Sequence, residues 1–159
     1  CGYRALLDYQ RKQQSVTAVS VALSAKPEKV DEAVRHVKEQ QGRLRERLNR
    51  MQQLYLSKKL EELTPEHRNV CIFEEELNTV AARNFVNSAM ERCSGICGAF
   101  IGTDEKGYHY ILGSRTTDLR VFSGELNKRF QGKGGGKPEM VQGSLVGTAQ
   151  EIREIIQKA

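Results

Sequence analysis

The feature that most constrains this chain is a run of apolar residues between positions 28 and 63. Val30, Val34, Val37, Gln41, Leu44, Leu48, Met51 and Tyr55 step by four and three throughout, and only Gln41 is polar. Side chains at those intervals share one face of a helix. The spacing therefore predicts one long helix with a heptad seam, about 50 Å from end to end. Glu39, Arg43, Arg45, Glu46, Arg47 and Arg50 surround the seam with alternating charge, as on an exposed helix surface. Gly42 is a local weakness of about 1 kcal/mol relative to Ala.

Residues 3–23 predict a first helix, with Leu6, Tyr9, Val16 and Leu23 at spacings of three, four or their sums. Ser24-Ala25-Lys26-Pro27 breaks it, because Pro27 suits the first turn of a new helix and not a helix interior. The short connection predicts an antiparallel helical hairpin, a coiled coil, over residues 1–65. The first helix is about 30 Å long, so the second overhangs it. The overhang around Leu48 to Tyr55 needs a cover: the globular domain, an upstream domain or a second chain. Packing within the chain is the expected cover, and a homodimer through helix 28–63 is the other. Arg43, Arg47 and Arg50 fall on one face of this helix, either as a stripe for an RNA backbone or as an ordinary solvated surface.

Composition narrows the class. With 38% hydrophobic and 28% charged residues, and no run of ~18 apolar positions, no membrane span is expected. A cytoplasmic location is expected. The chain begins Cys1-Gly2-Tyr3 without a Met, so it reads as part of a longer protein. The net charge of +5 is uneven. Residues 1–65 hold 13 Lys and Arg against 8 Asp and Glu, whereas residues 66–159 hold 12 of each. That excess permits an RNA partner without demanding one. Cys1, Cys71, Cys93 and Cys97 form no dense disulfide framework. With His36, His67 and His109 scattered singly, no zinc site is expected, nor any other metal site.

Residues 66–159 predict a small α/β domain. Asn69–Phe73 is a compact apolar run, a buried strand. Residues 78–92 follow as a helix with Val80, Ala81, Phe85 and Ala89 inward. Apolar residues from Gly95 to Gly102, the turn Asp104-Glu105-Lys106-Gly107 and Tyr108–Gly113 predict a β-hairpin. His109 alternates with Tyr108 and Tyr110 and reads as a strand-surface residue. Asp118 is a candidate N-cap for a helix carrying Leu119, Phe122, Leu126 and Phe130. Glu139–Leu145 reads as a short strand, and a helix from about Val146 to Lys158 ends the chain. The fold class is α+β: the helical hairpin, then a mixed sheet of about four strands covered by helices.

Between the last helix pair lies Gly132-Lys133-Gly134-Gly135-Gly136-Lys137-Pro138. Glycine lets a backbone approach another surface closely, and bare N–H groups can face an anion. Lys133 and Lys137 add positive charge on either side, so residues 132–138 form a candidate phosphate-binding loop; a tight structural turn is the alternative. No nucleophile elbow, zinc-protease helix, phosphate-binding Walker loop or dinucleotide fingerprint occurs, so no catalytic residue is assigned.

Gly134, Gly135, Gly136, Lys137, Pro138, Glu139, Met140, Gln142 and Gly143 resemble the glycine-rich signature of the DHHA1-type domain. That domain ends alanyl-tRNA synthetases and the long stand-alone alanyl-tRNA editing proteins. Lys137 stands where Arg is usual in that signature, and Val141 where Ala is usual. Gly2-Tyr3-Arg4-Ala5-Leu6 is similar to the segment entering the family's helical linker. The resemblance implies a non-catalytic tRNA-binding and assembly portion, with tRNA(Ala) as partner. It implies Gly134, Gly135, Gly136, Lys137, Gln142 and Gly143 as contacts to RNA phosphates; Lys133, which interrupts the glycine run of the signature, joins them as a candidate by its charge. The family's editing domain hydrolyses tRNA(Ala) mischarged with Ser or Gly, using zinc held by H-x-x-x-H and C-x-x-x-H. Neither motif occurs here, so zinc and catalysis are expected upstream of this chain. The other parents are alanyl-tRNA synthetase itself and a DHH-type phosphoesterase, whose related motif has His where Lys137 stands; a structural dimerisation module is the remaining reading.

Overall fold

The structure is a computed structural model that describes residues 2–64 and 68–159. Cys1 and the expected break at Pro65–His67 lie outside the described residues. The chain divides into two compact units, Cys1–Leu48 and Asn49–Ala159.

In the first unit, α1 spans Gly2–Ala22 and a short 3₁₀ turn spans Pro27–Lys29. The long helix α2 spans Val30–Glu61 and so continues into the second unit. Ser24 turns the chain with φ of 50°, and Ala25 donates its N–H to the Ser20 carbonyl at 2.9 Å. The Ser20 hydroxyl donates to the Ala25 carbonyl, which closes the turn. Both long helices are thus present. Their apolar stripes, however, are open: Ser20 is the only buried residue of α1. Leu44 and Leu48 are 67% and 53% exposed. The heptad seam is therefore not closed within the described chain. Periodicity specifies a helix and an apolar stripe, but it does not supply the surface that covers the stripe.

In the second unit a five-stranded mixed sheet has the order β1-β2-β3-β5-β4. Its strands are β1 Val70–Glu74, β2 Cys97–Thr103, β3 Gly107–Gly113, β4 Lys133–Lys137 and β5 Met140–Leu145. Helix α3, Thr79–Ala89, joins β1 to β2, which run parallel; β2 with β3, β3 with β5 and β4 with β5 are antiparallel. Helices α4, Leu119–Arg129, and α5, Ala149–Lys158, complete the unit. The fifth strand corrects the sequence expectation of about four. It is the glycine run itself, which pairs with β5 instead of forming a loop.

Alternation of side chains divides the core in two. On one face Phe100, Tyr108, Tyr110, Leu112, Val141 and Leu145 pack against α4 and α5 through Leu119, Leu126, Ile152 and Ile156. On the other, Ile72, Cys97, Ala99 and Ile111 pack against Phe85 and Val86 of α3. Leu56, from the last turns of α2, joins this second cluster with Leu60 and Leu63 beside it. The Tyr55 hydroxyl donates to the Glu74 carboxylate at 2.5 Å, and the Gln52 amide donates to the Glu76 carbonyl at 3.2 Å. Leu56 and, in part, Leu60 and Leu63 are thus covered within the chain, whereas Leu48, Met51 and Tyr55, the overhang for which a cover was expected, stay 53%, 60% and 41% exposed.

Caps set the helix ends. Asp118 accepts from the Arg120 N–H at the start of α4, as its position predicted. Asn78 does the same for α3. Thr148 and Glu151 form a reciprocal capping box, so α5 begins at Ala149 and not near Val146.

Candidate functional site

The hairpin β4–β5 closes through the two residues Pro138-Glu139, with Lys137 opposite Met140. The turn is held on two sides. Leu119 at the start of α4 donates its N–H to the Pro138 carbonyl at 2.9 Å, and Ser114 after β3 donates to the Glu139 carbonyl at 3.0 Å. Strand β4 is the edge of the sheet and all five of its residues are exposed. Alternate N–H and C=O groups of an edge strand point away from the sheet with no further strand to take them.

The glycines of β4 differ in what requires them. Gly134 lies opposite Gly143, and Tyr110 of β3 lies next in the same row. A Cβ on Gly134 would come within 2.5 Å of the Tyr110 hydroxyl oxygen; one on Gly143 would come within 2.3 Å of the Lys133 carbonyl oxygen and 2.7 Å of the Tyr110 ring. These two glycines make room for an aromatic ring against the edge hairpin. The Tyr110 hydroxyl donates to the Asn127 side chain of α4 at 3.0 Å. Burial raises the phenol above its ordinary pKa, so it stays a donor. Gly136 is required by backbone, with the Met140 carbonyl oxygen 2.4 Å from where its Cβ would lie. Gly135 is different. A Cβ there would meet nothing within 4 Å.

Register places Gly135 on the face of the sheet shared with α3, in a row with Gln142 and Ile111. Lys133 heads the neighbouring row, with Ser144 and His109, and Lys137 the other, with Met140. Ile111 is covered by α3, while Lys133, Lys137, Gln142, Ser144 and His109 are exposed. The outer part of this sheet face is therefore open. It is bare at its centre, carries a lysine on each side, and has no acidic residue in its three rows on β3, β4 and β5; Glu74 stands in the Lys133 row only at the far strand, β1. Neither lysine forms an ion pair among the described residues.

Lys133, Gly134, Gly135, Gly136, Lys137, Gln142 and Gly143 thus come together on one hairpin, though Gly134, Gly136 and Gly143 serve its packing as well. Arg43, Arg47 and Arg50 lie exposed along α2 at the expected spacing. Sequence reasoning missed Arg83. It projects from α3 and donates from Nη2 to the Gln142 side-chain oxygen at 2.6 Å. Nothing local in α3 marks it, because the contact spans 59 positions.

Other parts of the unit offer less chemistry. A groove of about 560 Å³ between α2 and α3 is lined by Leu56, Leu60, Val80, Asn84 and Phe85 among others, and has no ionisable side chain in its wall. Among the described residues no three His, Cys, Asp or Glu side chains gather as a metal site. Burial pushes the Cys97 thiol up to about 12, which makes it a poor nucleophile at neutral pH. No described helix is long and apolar enough to cross a membrane.

The fold is similar to that of the C-Ala domain from Aquifex aeolicus alanyl-tRNA synthetase. The TM-score is 0.44 with 19% identity, over 55% of this chain and 89% of that one. The chain is also similar to exonuclease RecJ bound to manganese, with a TM-score of 0.49 and 13% identity, over 86% of this chain. It spans 35% of that RecJ chain. No protein-family model matches the chain, and no curated relative does.

Proposed function

We propose that this chain is a non-catalytic tRNA-binding portion of a protein acting on alanyl-tRNA, and that the open face of β4–β5 holds RNA phosphates. The observation that carries this reading is Gly135. Packing does not require a glycine there, yet the position is bare and lies between Lys133 and Lys137 on an exposed edge. A smooth strand lets a phosphate reach backbone N–H groups, and the two ammonium groups supply the charge. The sequence resemblance supports the same reading. Contacts of this kind hold RNA by its backbone and shape, without reading sequence. In this reading the partner is tRNA(Ala), the parent is a stand-alone editing protein, and its zinc-dependent hydrolysis of mischarged tRNA belongs to an upstream domain.

Binding of the chain to tRNA(Ala) and to an unrelated tRNA, titrated over several salt concentrations, tests this. Replacing Lys133 and Lys137 by Glu is expected to weaken binding to both RNAs alike. Each lost phosphate contact should lower the log–log salt slope by about 0.7–0.9. If affinity and slope both stay unchanged, the strand does not hold phosphates.

A second reading is favoured by one observation, the open apolar stripe of α2 at Val37, Leu44, Leu48 and Met51. Pairing of two such stripes would make a homodimer through the long helix. Mass measured against concentration would rise through a transition for a dimer, and would stay at the monomer value otherwise.

A further inference from the structure

From the position of Arg83 we infer that it is a third phosphate-binding cation of the β4–β5 face, supplied by α3 and held in place by Gln142. This rests on the reading of that face as a phosphate-binding surface. Three surface arginines of the molecule have anionic partners: Arg35 pairs with Asp31, Arg115 with Glu91 and Arg120 with Asp118. Arg83 has none among the described residues, and its one hydrogen bond there is to the neutral amide oxygen of Gln142. Gln142 lies opposite Gly135 in the register. The guanidinium is therefore brought to the residue next to the bare centre of β4, with Lys133 and Lys137 in the flanking rows.

The chemistry of the group matches the place. A guanidinium has five N–H donors in a planar fork, and Gln142 engages one of its nitrogens. The remaining donors can take two oxygens of one phosphate, a geometry that a lysine ammonium cannot offer. An amide partner fixes the side chain over the surface without neutralising its charge. A carboxylate at position 142 would do the opposite. Arg83 is exposed, so its orientation comes from this contact and not from burial.

The test uses the whole chain with a tRNA transcript as probe, titrated at a series of salt concentrations. Arg83→Gln is expected to weaken binding roughly tenfold at low salt and to lower the log–log slope by about 0.7–0.9, the amount for one phosphate. Arg83→Lys is expected to restore the slope but only part of the affinity, because it keeps the charge and loses the fork. Arg83→Gln should leave the melting temperature within about 2 °C, as expected for an exposed side chain. Unchanged affinity and slope in Arg83→Gln, with both lowered in Lys133→Glu/Lys137→Glu, would overturn the role of Arg83 and leave the phosphate-binding face standing. Unchanged binding in both variants would remove the face itself. Weaker binding in Arg83→Gln with an unchanged slope would overturn the phosphate contact.

Discussion

Residues 2–48 and the sheet unit carry comparable apolar patterns and treat them in opposite ways. In α1 and the first half of α2 the stripe is regular, yet Leu6, Val37 and Leu44 are 54%, 47% and 67% exposed. In the sheet unit Phe100, Tyr110, Ile111 and Leu112 are fully buried. The difference lies in who provides the opposing surface. A β-strand of the sheet brings its own neighbours through the ladder, and α4 and α5 cover one face while α3 covers the inner part of the other. A helix satisfies its backbone alone and leaves its stripe to find a partner. Charge is divided in a similar way, since residues 1–48 hold 10 Lys and Arg against 6 Asp and Glu, and residues 49–159 hold 15 against 14.

The sharpest way to break this comparison is a pair of truncations. Phe100 stacks on Phe73 with ring centroids 4.7 Å apart and is wholly buried. Phe100→Ala should cost about 3–5 kcal/mol in urea or thermal unfolding. Leu44→Ala should cost under about 0.5 kcal/mol. A cost above about 1 kcal/mol for Leu44→Ala that grows with protein concentration would show a second chain covering the stripe.

Glycines extend the comparison within the sheet unit. Gly143→Ala places a Cβ against the Lys133 carbonyl and the Tyr110 ring, and is expected to destabilise by about 1–3 kcal/mol. Gly135→Ala, in open space, is expected to stay within about 0.5 kcal/mol while weakening RNA binding. Equal unfolding midpoints for the two variants would remove the packing distinction on which the role of Gly135 depends.

The smallest effect concerns the join between the β2–β3 turn and α5. Asp104 accepts from the Tyr108 hydroxyl at 2.6 Å and from the Ala149 N–H at 2.9 Å. These bonds, the Tyr108 hydroxyl first, hold its carboxyl below the usual carboxylate range. A depressed folded-state value adds stability that is present above the unfolded-state value and is lost as pH falls through the folded one. The melting-temperature gap between the wild type and Asp104→Asn should therefore be widest at neutral pH and narrow below about pH 4. A gap independent of pH would show that the charge of Asp104 contributes nothing.

Much of the sheet unit was legible in residue order. The β2–β3 hairpin follows from the Asp104–Gly107 turn between two apolar runs, and Gly107 takes φ of 84° as such a turn needs. Asp118 caps α4 for the reason its position suggested. The glycine run was legible as a site candidate but not as a strand. Glycine disfavours strands on its own, and only pairing with β5 and the ring of Tyr110 make one here. Which glycines serve packing was likewise hidden, because Tyr110 and Gly134 meet only across β5.

By itself, the sequence determined the local elements: two long helices with a break at Pro27, the helix caps and the turns. It also determined the positive balance of residues 1–65. These depend on spacing, capping and backbone preference over a few residues. Tertiary structure alone decided that the glycine run is an edge strand, that the last turns of α2 pack into the sheet unit, and that Arg83 reaches Gln142. Each of those depends on a contact between residues distant in the chain, and such a contact leaves no mark in the short-range pattern on either side of it.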